Sequence, residues 1–488
     1  MALNPIKKLA GETAIYGLGT IVPRLLNYFL VPLYTYVFTQ EEYGRITELY
    51  AWVAIMMVVL TYGMETAFFR YAELEKNASK VFSTAATSIL ITSVVFLAAI
   101  ILFINNIAGA IHYEDNNEYI ILLAIIVAID AFTALPFAFL RYQNKAKRFA
   151  IIKVISVAVN ILLNLVFILV LPKLDFNIRN DFFLIDASSL IIVVFVANLI
   201  SSIVSLLLLI SELKHFKIGI NRVLFKKLLL YGLPILIIGI AGMINEVSDK
   251  ILLRYFLPDD QNAEAQIGIY GASYKLAILM MLFIQMFRYA AEPFFFRESS
   301  KKDAKEIYSK VMTYFVIFTL LIFLTVTLYI DIFKYFIGPA FWIGLQIVPI
   351  ILAAKMFLGI FYNLSVWYKL TNKTLYGAII SIIGALITIV LNILLIPKIG
   401  YLGSAWANLA CYFSMMVISY FWGRRIYQIH YQLKKIILYS MLTFVLYFIS
   451  YVFKPYSDGY NIVLSTILIL IFTTVIFFSE KRSFKTMV

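Results

Sequence analysis

Tyr43-Gly44 opens, and Glu65-Thr66-Ala67-Phe68-Phe69-Arg70 closes, a stretch that the chain uses twice. The second copy opens with Tyr270-Gly271 and closes on Glu292-Pro293-Phe294-Phe295-Phe296-Arg297. A single offset of 227 residues separates Tyr43 from Tyr270, Glu65 from Glu292 and Arg70 from Arg297. Farther along, Gln143-Asn144-Lys145 returns as Thr371-Asn372-Lys373, and Pro172-Lys173 as Pro397-Lys398. The register drifts by only about three residues across half the chain, which small changes in loop length accommodate. The spacing predicts one six-helix unit used twice.

Of 488 residues, 62% are hydrophobic and 14% charged, against roughly 45–50% and 25% in soluble domains. That composition excludes an ordinary water-soluble fold and makes the chain an integral membrane protein. The net charge of +14 sits in short loops between apolar runs, so it reads as an orientation signal and not as a nucleic-acid surface. Cys411 is the one cysteine, and His112, His215 and His430 fall in loops or near helix ends. No metal site or disulfide is expected, and no cofactor beyond a coupling proton or sodium ion. The run from Thr13 to Val37 is too long for a signal-peptide core and is expected to persist as the first span.

Runs long enough to span predict an all-α polytopic protein of about fourteen transmembrane helices. The first six are expected near 13–37, 44–69, 81–104, 118–142, 149–171 and 187–211. The second six follow near 228–253, 267–293, 308–330, 341–368, 374–396 and 402–423, with a final pair near 434–453 and 461–479. The expected domains are an N-lobe at 1–212, a basic linker at 213–227, a C-lobe at 228–425, and a helix pair with its tail at 426–488. Lys and Arg crowd the loops on the side of the N-terminus, as in Lys7-Lys8, Arg141 to Arg148, Lys214 to Lys227 and Arg424 to Lys435. The opposite loops carry Glu41-Glu42, Glu114-Asp115 and Asp259-Asp260. Both termini are therefore expected in the cytoplasm. Six is an even number, so the two copies are parallel repeats, as in alternating-access carriers. No loop exceeds roughly 20 residues, which leaves no room for a soluble catalytic domain.

A charge at mid-bilayer costs about 2.5–3.5 kcal/mol even on lenient scales, so charges inside spans point to a wet cavity or to partners. Arg24, Lys153, Lys250, Lys275, Arg288 and Lys355 lie inside spans. Glu246 with Lys250 and Arg288 with Glu292 are four apart and are expected to pair locally. Arg24, Lys275 and Lys355 have no acid three or four positions away on their own helix. They suit an anionic substrate, Arg as a bidentate fork and Lys as a point charge. The alternative is neutralisation by Glu48, Glu65, Asp130 or Asp249 from another helix. Asp130, near the middle of the fourth span, is a candidate coupling acid or a partner of Lys153; Asp249 is the second candidate cavity acid. The repeated Glu65 with Arg70 and Glu292 with Arg297 read as end-locks or gate residues. Pro23 and Pro32 in the first span, and Gly232, Pro234, Gly239 and Gly242 in the seventh, mark expected bending elements.

The repeated Tyr-Gly with Glu-x-x-Phe-Phe-Arg, together with Tyr231-Gly232-Leu233-Pro234, Ser248-Asp249-Lys250 and Leu391-Asn392-Ile393-Leu394-Leu395-Ile396-Pro397, resembles the Wzx-type polysaccharide and O-antigen flippases. These belong to the multidrug/oligosaccharidyl-lipid/polysaccharide exporter (MOP) superfamily. The resemblance covers nearly the whole chain. It implies an inner-membrane protein that moves an undecaprenyl-diphosphate-linked oligosaccharide between leaflets, with membrane lipid and polysaccharide assembly machinery as partners. It also implies a central cavity lined by helices 1, 2, 7 and 8, which places Arg24, Lys250 and Lys275 as headgroup contacts, and Lys355 on helix 10 less directly. The last helix pair resembles one that offers a groove for a polyprenyl tail, and simple anchoring is its alternative.

A MurJ-type lipid II flippase would share this fold and a cationic cavity. A drug antiporter of the same superfamily usually has twelve helices and more acidic cavity residues, and the Gly- and Arg-rich signature of major-facilitator carriers is missing from Arg70 to Lys80. An enzyme of polysaccharide assembly would be expected to carry a large outer loop or a cytoplasmic domain with metal-binding carboxylates. The chain has neither, so it reads as a transporter and not an enzyme.

Overall fold

Apolar runs of this length have one low-cost backbone solution in hydrocarbon, the helix, because it satisfies every N–H and C=O internally. The computed structural model describes residues 19, 21–75, 77–170, 190–453 and 458–485. Lys7-Lys8, the start of the first expected span, Pro172-Lys173 and the start of the sixth span lie outside the described residues. Among the described residues, thirteen helices are long and apolar enough to cross a membrane.

In chain order, α1 ends in Leu30–Val37, and α2 runs Gln40–Leu74 in two pieces, Gln40–Thr61 and Met64–Leu74. Next come α3 Ala78–Leu102, α4 Asn117–Tyr142, α5 Ala146–Val170 and α6 Ile191–Leu208. The second half holds α7 Arg222–Phe256, α8 in two pieces Ala263–Lys275 and Ile278–Glu298, and α9 Ala304–Leu328. It continues with α10 Pro339–Leu370, α11 Leu375–Ile399 and α12 Tyr401–Ile426, and closes with α13 Leu433–Phe453 and α14 Asp458–Lys485.

Of the expected bends, the one at Pro32 is present and the one at Pro234 is not. Helix α1 is interrupted at Phe29, the turn before Pro32, whose missing N–H leaves a carbonyl one turn back without its bond. Helix α7 instead runs unbroken for 35 residues through Pro234. The break in α2 is at Tyr62-Gly63, with φ of 29° and 73°. There a Cβ on Gly63 would lie 2.6 Å from the carbonyl oxygen of Gly232, so two backbones touch where two side chains are lacking. The eighth helix, expected as one run, is divided at Leu276-Ala277.

Contacts divide the chain into two compact units, Met1–Val37 with Arg45–Val247, and Phe38–Gly44 with Ser248–Val488. In the first unit α4 packs on α3 and α6, and α6 on α5. Phe68, Phe82 and Phe139 form its aromatic centre, the last two stacked with centroids 4.6 Å apart. In the second unit α10 packs on α9 and α12, and α12 on α11, repeating the first unit's pairings. Helices α13 and α14 are tied to each other and to α9: Lys435 Nζ is 2.7 Å and Tyr439 Oη 2.6 Å from Glu480, and Ser465 Oγ donates to the carbonyl of Leu328 at 2.9 Å.

Candidate functional site

The second unit gathers two of the expected cations around one ring. Asp249, on the last turns of α7, is 1% exposed. One of its oxygens accepts the phenolic O–H of Tyr270 at 2.5 Å, and the other takes the Lys250 ammonium at 3.0 Å. Lys250 Nζ also lies 4.4 Å from the ring centroid of Tyr274 on α8. From α10, Lys355 Nζ lies 4.7 Å from that same centroid and 4.9 Å from that of Tyr412 on α12. Lys355 is completely buried. An ammonium survives such burial only with compensating groups, and aromatic faces supply part of that compensation. Two ammoniums and a carboxylate are thus gathered around one tyrosine ring inside the second unit. Lys275 is the last residue before the break in α8 and is exposed.

In the first unit, Asp130 stands mid-way along α4. Ser202 on α6 and Lys153 on α5 face it, and Tyr50, which receives a 2.8 Å hydrogen bond from Asn198, lies within its field. The Lys153 ammonium rests 3.9 Å above the ring of Phe137, and Asp130, Glu65, Arg141 and Arg24 are the charges around it. Arg24 itself is exposed.

The end-lock residues have other partners than those expected. Glu65 binds Arg141 of α4, and Glu292 binds Lys369 of α10. Arg70 instead lies over the ring of Tyr231 at 4.8 Å, and Arg297 is 3.5 Å from Glu298. Residues five apart on a helix point about 140° apart at 3.6 residues per turn, so Glu65 with Arg70 and Glu292 with Arg297 share no face. Arg288 takes the ring of Tyr362 at 4.1 Å, not Glu292. The order Arg then Glu is the weaker arrangement for a pair four apart.

Two repeated features were missed by reading charges alone. Asn144 and Asn372 both adopt positive φ, 57° and 56°, at the ends of α4 and α10. The following N–H groups of Lys145 and Lys373 reach back to the carbonyls of Leu140 and Tyr368 at 3.0 and 2.8 Å, closing the same C-terminal cap. Asn164 on α5 and Asn392 on α11, also 228 apart, are both fully buried. Each donates its amide to the carbonyl four residues back, at 2.8 and 2.7 Å, and accepts a hydroxyl at 2.8 Å, from Tyr34 and Ser404 respectively. Applying the offset of the Asn144 repeat to Arg141 leads to Lys369, so the sequence did hold the signal for the true ion pairs.

Residues 9–299 match the family described as polysaccharide biosynthesis protein. No curated protein sequence matches the chain. Among solved structures, a lipid II flippase MurJ in an inward closed conformation superposes with a TM-score of 0.71 at 15% identity, covering 96% of this chain and 100% of that one. A MATE in complex with MaD3S gives 0.57 at 15% identity, over 87% of this chain and 96% of that one. An outward-facing multidrug resistance MATE family transporter gives 0.55 at 14%, with the same coverage. At these identities the likeness establishes the fold, a multi-pass bundle of about fourteen helices. The chain belongs to the polysaccharide biosynthesis protein family of the MOP superfamily, a family of membrane transporters and not of enzymes.

Proposed function

We propose that the chain moves an undecaprenyl-diphosphate-linked oligosaccharide, an O-antigen, capsule or exopolysaccharide unit, across the bacterial inner membrane by alternating access. Its two lobes are 1–212 and 228–425, joined by the basic linker 213–227. Both termini face the cytoplasm, where the basic loops lie. The observation that carries this reading is the gathering of Lys250 and Lys355, with Asp249, around Tyr274 within membrane-spanning helices. Lysine ammoniums are suited to bind the oxygens of a diphosphate. Arg24 and Lys275, both exposed, add contacts to the headgroup, and Asp130 couples the cycle to an ion gradient. The polyprenyl tail stays in lipid along α13. An apolar cavity of about 240 Å³ between α9, α10, α12 and α13, lined by Met312, Met356, Phe357, Met416 and Ile437, supports that placement.

The likeness to a lipid II flippase favours a second reading, in which the headgroup is the peptidoglycan precursor. Mass spectrometry of lipid-linked saccharides in cells depleted of the protein separates the two. A polyprenyl-diphosphate oligosaccharide held on the cytoplasmic side is the expected result, and accumulation of lipid II selects the alternative. An unchanged lipid pool, with no redundant flippase present, overturns both and points to a small-molecule exporter.

A further inference from the structure

Helix α2 begins inside the second unit and leaves it at Gly44 to continue in the first. Within the second unit its opening turn crosses the opening turn of α8 at backbone contact. A Cβ on Gly44 would lie 1.9 Å from the carbonyl oxygen of Glu264, and a Cβ on Gly268 would lie 2.0 Å from that of Gln40. The contact is reciprocal: each glycine stands four residues after the carbonyl that the other one meets. Paired glycine crossings of this kind let membrane helices approach through Cα–H···O contacts with no interlocked side chains. The glycine facing Gly44 is Gly268, about one turn before Gly271, its counterpart in the repeat.

Around the crossing the fasteners are polar and aromatic. Asn262 Nδ2 donates to Glu41 Oε1 at 3.0 Å, and Gln40 donates to the carbonyl of Ala340. Tyr43 meets Phe341 edge-on at 5.5 Å. Below the crossing, both helices are broken, α2 at Tyr62-Gly63 and α8 at Leu276-Ala277. The pieces that carry the two glycines, Gln40–Thr61 and Ala263–Lys275, therefore each end at a joint.

We infer that the Gly44–Gly268 crossing is a releasable latch, which shuts the face opposite the termini and must part once in every transport cycle. The inference rests on the alternating-access reading above and adds the element that gates it. A side chain at either glycine cannot coexist with the closed crossing, so Gly268→Val holds the latch open.

The test uses the full-length protein in liposomes with Cys411→Ala as a cysteine-free background, and spin labels at Glu41→Cys and Asn262→Cys. Two distance populations are expected without further change, the shorter one matching the closed crossing. Gly268→Val should deplete the shorter population. A single short distance, unchanged by Gly268→Val, overturns the latch. Should Gly268→Val fail to fold, oxidative cross-linking of the same two cysteines decides. Saccharide export should stop on cross-linking and recover on reduction, whereas full export by the cross-linked protein overturns the inference. The distances do not depend on the cargo, so two populations in a protein whose depletion leaves the lipid pool unchanged would sink the proposed substrate and keep the latch.

Discussion

Asp249 holds a tightly constrained charge, because two different donors converge on it in a buried place. Replacing it with alanine leaves Lys250 with one fewer counter-charge and the Tyr270 hydroxyl without its acceptor. Breaking a buried pair in this way costs about 3 kcal/mol, so Asp249→Ala should lower the midpoint of thermal unfolding in detergent. Asp249→Asn keeps an acceptor for Tyr270 and should lose less. Glu65 with Arg141 lies in a different regime, its side chains being 41% and 34% exposed. Pairs this exposed contribute about 0.2–1 kcal/mol. Arg141→Glu should therefore change stability little, and transport lost in that variant should return in part when Glu65→Arg restores the pair. Export that stays at the single variant's level in the double variant would mean that the pair does not act as a unit. Glu65 was evident from the repeat with Glu292, and its partner could be reached only by carrying the offset of the Asn144 repeat from Arg141 to Lys369, because a partner on another helix leaves no spacing to read on its own.

At the scale of the element, the spans were readable from hydropathy, and of the breaks only that of α1, one turn before Pro32, was announced. Fourteen runs were expected, and thirteen spans plus the described end of α1 are found at nearly those positions, since an apolar run of this length has only the helix open to it. Leu276-Ala277 contains neither glycine nor proline, so nothing local announces the division of α8. Pro234 announces one that does not occur. The repeated asparagine turns belong to this scale as well. A left-handed residue costs about 1–2 kcal/mol for side chains other than Gly, Asn or Asp. Asn144→Val and Asn372→Val should each destabilise by about that amount, and Asn144→Gly should be nearly neutral. Equal unfolding curves for the Val and Gly variants would remove the cap as the reason asparagine stands there.

The whole molecule repeats its helix pairings but not its charges. The 228-residue offset that takes Asn144 to Asn372 carries Asp130 to Leu358 and Lys153 to Ser381, and brings Lys355 back to Val127. The first unit thus keeps a half-buried acid and base where the second is neutral, and the second keeps Lys355 where the first has Val127. Under the function proposed above, the cluster in one unit meets the anionic cargo, and the acid of the other titrates or binds the coupling ion. Asp130→Asn preserves size and a hydrogen-bonding partner for Ser202 while removing the charge. In reconstituted vesicles it should retain cargo binding and lose the dependence of export on an imposed proton or sodium gradient. Export by the unaltered protein that ignores the collapse of every gradient would assign Asp130 and Lys153 to architecture, and leave the driving force to consumption of the cargo on the far side.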